Sequence, residues 1–179
     1  MEFGDRLRFS IELDLDENPG GAWIFGRFCY WIDGQVVGDR DLGASLRDVL
    51  FQMTPILGDR GCRRCPKLIS FSGQEIFELI SASLDRGEDE IRRYVPEGQP
   101  IAALDVRIPV DVFDKWKIFL VEDTDAAKLV YRGDDAAGVE VVVLQEGEFD
   151  EVFLKAFTHL DGLFRKYEGL GAGGLESEK

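Results

Sequence analysis

Histidine and cysteine are scarce in this chain, which has one His and three Cys among 179 residues. A structural zinc site usually draws four ligands from those two residue types, and a secreted disulfide framework uses an even number of cysteines. Neither is supported. Basic residues are outnumbered, with 21 Lys and Arg against 35 Asp and Glu and a formal net charge of −14. Binding to nucleic acid or anionic lipid needs a basic footprint, and the short cluster Arg63, Arg64 and Lys67 does not supply one. No apolar run approaches the roughly 18 residues needed to span a bilayer. Residues 1–5 lack a basic region leading into an apolar run, so no secretory signal is expected, and a reducing cytoplasm is the expected location. Glycine is plentiful at 20 residues, yet neither the Walker-type nor the Rossmann-type phosphate loop is present. No cofactor is expected.

What remains is a globular composition, 45% hydrophobic and 11% aromatic. A disordered chain of this charge would carry far fewer Phe, Trp and Val residues. The length suits one domain over residues 1–168, followed by a Gly-rich, charged tail at 169–179 that is expected to fray.

Residues 7–16 alternate without a break. Leu7, Phe9, Ile11, Leu13 and Leu15 take one face and Arg8, Ser10, Glu12, Asp14 and Asp16 the other, which predicts a half-buried strand. After the turn Asn18-Pro19-Gly20-Gly21, residues 22–33 are apolar on both faces and read as a central strand. Asp33-Gly34 is a strong hairpin signal leading into a short strand near 35–38. A helix is expected from a cap at Ser45, with Leu42, Leu46, Val49, Leu50, Met53, Ile56 and Leu57 on its stripe, ended or kinked at Pro55.

A loop with Cys62 and Cys65 precedes the capping box Ser72-x-x-Glu75, which opens a second helix. Residues 95–115 are Pro-interrupted, with a short strand near 103–108. Segments 116–122, 128–131 and 139–145 read as a second meander. A long stripe from Phe149 to Tyr167 marks a third helix, with Glu146, Glu148, Asp150 and Glu151 at its N-terminal end complementing the helix dipole. The fold class is α+β, a mainly antiparallel sheet from two meanders packed with about three helices.

Candidate chemistry is thin. Cys62-x-x-Cys65 reads as two loop thiols without metal; the alternative is a zinc site shared across a dimer. His159 is a boundary residue on its helix, with no nucleophile tied to it by a motif. Glu12, Asp14 and Asp16 share one face of the first predicted strand, about 6.6 Å apart, where like charges repel unless water or a basic partner relieves them. Glu17, Asp33, Asp39 and Asp41 are placed near the same rim. The plain alternative is a solvated strand face. Trp23, Trp31 and Trp116 read as core or core-edge residues, one of them a candidate interface anchor. A hydrolase built on paired carboxylates would need a cleft and a carboxyl of raised pKa.

The stretch FGRFCYWIDGQVVGDRDLGASLRDVLFQM, residues 25–53, resembles the signature of the immunity 42 family of bacterial polymorphic-toxin systems. Residues 3–5, Phe9-x-Ile11-Glu12 and residues 116–122 agree with it too. The resemblance implies a non-enzymatic cytoplasmic protein that binds and neutralises a cognate toxin. Combined with the net charge, it points to Glu12, Asp14, Asp16, Asp33, Asp39 and Asp41 meeting a basic, nuclease-type toxin domain. An acidic regulatory or adaptor module is the rival reading. Oligomeric state is left open.

Overall fold

The computed structural model describes residues 1–172, with side chains for residues 1–168. Its first strands are β1 (Glu2–Asp5) and β2 (Phe9–Leu15), antiparallel and in register from Glu2 opposite Glu12 to Asp5 opposite Phe9. Phe9, Ile11 and Leu13 are buried, as the alternation requires. Leu7 is not part of the strand and is exposed, and Ser10 and Glu12 on the other face are also buried. The strand is therefore covered on both sides rather than half-buried.

β3 (Phe25–Ile32) pairs with β2 along its whole length, from Phe9 opposite Ile32 to Leu15 opposite Gly26. Asp33 and Gly34 both have positive φ, 50° and 75°, the backbone of a two-residue type I′ hairpin. The hairpin leads into β4 (Gln35–Val37), and the short β5 (Ala44–Ser45) pairs with the other end of β3. β3 is thus the central strand of a five-stranded antiparallel sheet. An ideal Cβ on Gly26 would lie 2.2 Å from the Asp14 carbonyl oxygen and 2.9 Å from Leu46 Cδ1. Gly26→Ala is accordingly expected to destabilise the protein by about 1–3 kcal/mol, read as a lower urea midpoint with an unchanged slope.

α1 (Leu46–Gly58) is capped as the sequence suggests, with Ser45 Oγ accepting from the Asp48 amide at 3.2 Å. Leu42 lies outside it and is exposed. Pro55 does not end the helix; three further residues are helical, and the Asp59 amide bonds the Pro55 carbonyl at 3.0 Å. So close to the C-terminus, a proline removes one ladder bond and leaves the final turn able to close.

α2 (Gly73–Arg86) carries a complete capping box, with the Glu75 amide on Ser72 Oγ at 3.3 Å and the Ser72 amide on Glu75 Oε2 at 2.8 Å. It stops at Gly87 in the left-handed conformation, φ 69°. The strand expected near 103–108 is absent. A 3-10 turn at Ile101–Leu104 and a single bridge between Asp105 and Phe119 take its place, in a segment bracketed by Pro100 and Pro109.

The second meander is β6 (Trp116–Glu122), β7 (Ala127–Gly133) and β8 (Glu140–Leu144). Ile76, Phe77 and Ile80 of α2 form one apolar cluster with Phe119, Val121 and Val130 of this sheet. α3 (Glu148–Ala172) runs four residues into the stretch expected to fray, and residues 173–179 lie outside the described residues. The architecture is α+β with two antiparallel meanders.

The chain forms two compact units, each assembled from separated stretches. The first holds residues 1–54, 108–114 and 151 onward; the second holds 55–107 and 115–150. No helix among the described residues is long and apolar enough to cross a membrane.

Candidate protein-binding surface

In the first unit, the β2–β3 register sets Trp31 opposite Ser10 and Cys29 opposite Glu12. Glu12 consequently shares its face with the Trp31 indole, whose Nε1 donates to Glu12 Oε2 at 2.6 Å. Arg6 donates to the same oxygen at 2.9 Å while its guanidinium sits 4.1 Å from the Trp31 ring centroid. Arg40 reaches Glu12 Oε1 at 2.7 Å and Asp14 Oδ2 at 3.0 Å. Asp14 also accepts from the Met1 α-ammonium at 2.9 Å.

Burial alone would push the Glu12 pKa up. The hydrogen bonds from Trp31 and Arg40, with the charges of Arg40 and Arg6, outweigh it and hold the pKa below the ordinary glutamate value. Asp14 is also held low, chiefly by the hydrogen bond from the α-ammonium. Of the two readings of this stripe, the solvated face does not hold for Glu12, which is only 8% exposed. Glu12 and Asp14 are neutralised within their own unit.

The remaining candidates behave differently. Asp16, Asp33, Asp39 and Asp41 are exposed and have no ion-pair partner among the described residues. Arg40 ties the loop carrying Asp39 and Asp41 to Glu12 and Asp14, so those four are brought together. Asp33 is not near Asp16. The register places them beyond opposite ends of the seven-residue β2, roughly 26 Å apart at about 3.3 Å per residue.

Asp16 instead joins a cleft of about 610 Å³, lined among others by Phe25, Leu42, Asp48, Gln52 and Asp111, with no lysine or arginine in its wall. The stretch 25–53 builds most of it: Phe25 from β3, Leu42 from the loop, Asp48 and Gln52 from α1. Beside it stands Trp23, which composition and patterning assigned to the core or its edge. Trp23 is 48% exposed, Phe25 44% and Leu42 56%. A 3-10 turn over Gly21–Trp23 presents the indole, held between left-handed Gly20 and left-handed Ile24 (φ 44°). A positive φ is a genuine outlier for a β-branched residue. The Trp23 ring is parallel to Phe25 within 7° at 6.4 Å, and the Arg47 guanidinium lies 3.5 Å from its centroid.

Of the other candidates, all but His159 lie in the second unit. Cys65 is fully buried, burial pushes its thiol up to about 11, and Gln99 Nε2 donates to its sulfur at 3.7 Å. Cys62 is half-buried, both thiols are free, and no group of three or more His, Cys, Asp or Glu able to hold a metal occurs among the described residues. Arg63, part of the basic cluster, is completely buried against Asp150 at 2.7 Å. Asp150 therefore serves as a counterion and not only as a dipole-complementing acid. Burial raises the pKa of Glu122 and of Asp105, yet neither lines the cleft of the first unit or a smaller one in the second bordered by Glu75 and Glu90. His159 is half-buried, its ring 5.5 Å from that of Phe3.

Among curated proteins none matches this chain. Among solved structures, the crystal structure of CdiI from Burkholderia dolosa AUO158 shares the fold, with a TM-score of 0.69 and 22% identity over 89% of this chain and 99% of that one. The family model described as Immunity protein 42 matches residues 1–159. That match spans both meanders and the first half of α3, and on it the chain belongs to the Immunity protein 42 family.

Proposed function

We propose that this protein neutralises a cognate bacterial toxin domain by stoichiometric binding in the cytoplasm of the producing cell, with no bond made or broken. The family match over residues 1–159 carries the reading. The net charge of −14 extends it to a basic toxin, of the kind that acts on nucleic acid, since opposite charge accelerates encounter and suppresses wrong partners. Asp16, Asp39 and Asp41 are among the exposed acids of the first unit available to such a partner, with Asp33 at the far end of β2. Glu12 and Asp14 hold Arg40, between Asp39 and Asp41 in the chain, and are already paired.

The test is co-expression with a candidate toxin domain, sought as the C-terminal domain of any large secreted protein whose gene adjoins the one for this chain. Growth rescue and a 1:1 complex that weakens as salt rises are expected. A complex with unchanged affinity from low to high salt would remove the basic-toxin element. No rescue and no complex would overturn the reading itself.

A further inference from the structure

Resting on that reading, we propose that the cleft of the first unit is where the toxin docks: Trp23, in contact with the Arg47 guanidinium and parallel to Phe25, is the anchor, and the cleft beside it receives a lysine- or arginine-bearing loop of the toxin. Three observations converge. The patch of Trp23, Phe25 and Leu42 is exposed although all three are large and apolar. The Trp23 indole N–H makes no hydrogen bond among the described residues, so it is available to a partner. The ring is already immobilised by the Arg47 stack and by a strained turn, so little side-chain freedom remains to be lost on binding. Trp and Arg are the residues most enriched at binding hot spots, and strained backbone concentrates at functional sites.

Charge decides the occupant. Asp16, Asp48 and Asp111 line the cleft, and no cation of its wall answers them. Arg47 neutralises only Asp48, at 3.0 Å, while Asp16 and Asp111 have no ion-pair partner among the described residues. An anionic or purely apolar segment would leave those carboxylates desolvated and unpaired, which a cationic side chain avoids.

The experiment measures association and dissociation rates of the full chain with an inactivated form of the toxin domain that it neutralises in co-expression. Trp23→Ala is expected to weaken binding on the order of thirtyfold, mostly through faster dissociation. Asp16→Lys/Asp111→Lys is expected to slow association at least tenfold at low salt. Glu90→Lys/Glu97→Lys, the same change of charge in the second unit, should stay within about threefold of the parent. In the unsubstituted complex, amide exchange should slow across residues 21–25 and 41–48, a readout independent of any variant's folding. Parental rates for both cleft variants, equal losses in the second-unit control, or protection confined to other segments would each overturn the assignment. A toxin domain that the parent chain does not bind removes the proposed function, and the cleft assignment falls with it.

Discussion

Asp150→Ala should lower stability by about 3–5 kcal/mol, a fall in melting temperature on the order of 6–20 °C for a protein of this size. The reason is the position of Arg63. Its side chain is fully buried, with Nη1 on Asp150 Oδ1 at 2.7 Å, Nε on the Ala103 carbonyl at 3.0 Å and Nη2 on the Ile56 carbonyl. The guanidinium thereby links residues 56, 103 and 150, which lie far apart in the chain. Deleting the carboxylate leaves that cation out of water, with its remaining hydrogen bonds going only to carbonyl oxygens. Arg60, 3.7 Å from Asp150 Oδ2 and mostly exposed, is no substitute because it too is a cation.

Removing both charges is a different matter. Arg63→Met/Asp150→Leu should recover most of the loss, because an apolar pair of similar volume avoids the desolvation that the ion pair must offset. Urea titrations of the two single variants and the double variant give the coupling directly. Strict additivity would mean that Arg63 and Asp150 do not depend on each other.

Which features were legible follows from how far each determinant reaches along the chain. The Asp33-Gly34 hairpin, the Ser72–Glu75 box and the second meander depend on residues a few positions apart, and all three are seen. The Arg63–Asp150 pair joins residues 87 apart. In sequence, Arg63 therefore resembled part of a small basic cluster and Asp150 an ordinary first-turn acid. The strand expected near 103–108 failed for a related reason, since alternation cannot register that neighbouring prolines limit pairing to one bridge.

The site was half legible. The alternation placed Glu12 and Asp14 on one face, but no period announces that Arg6, Trp31 and Arg40 converge there. Trp23 was visible only as one of three tryptophans. The neighbouring Gly20-Gly21 was a usable signal, because two glycines before an aromatic residue favour a turn that can carry the ring outward.

Glu12→Lys sharpens the point about those carboxylates, because it looks like an interface substitution and should behave as a folding one. The new ammonium would sit between Arg6 and Arg40 and against the Trp31 N–H, with three donors and no acceptor among them. A loss of about 3–5 kcal/mol is expected, against about 1–3 for Glu12→Gln, which keeps the shape and loses the charge. Asp39→Lys/Asp41→Lys, on exposed side chains, should melt close to the parent, so of these substitutions that pair is the one that reports on toxin binding. The pH dependence gives an independent check. A carboxylate whose folded pKa is depressed contributes stability that is fully present above its unfolded value, near 4.5, and lost as pH falls through the folded one. Glu122 and Asp105, whose pKa values burial raises, act with the opposite sign and are common to parent and variant. The stability gap between parent and Glu12→Gln should therefore stay constant from pH 8 to about 5 and close only below the ordinary glutamate range. A gap that persists at pH 2 would mean that Glu12 acts through packing and not through its charge.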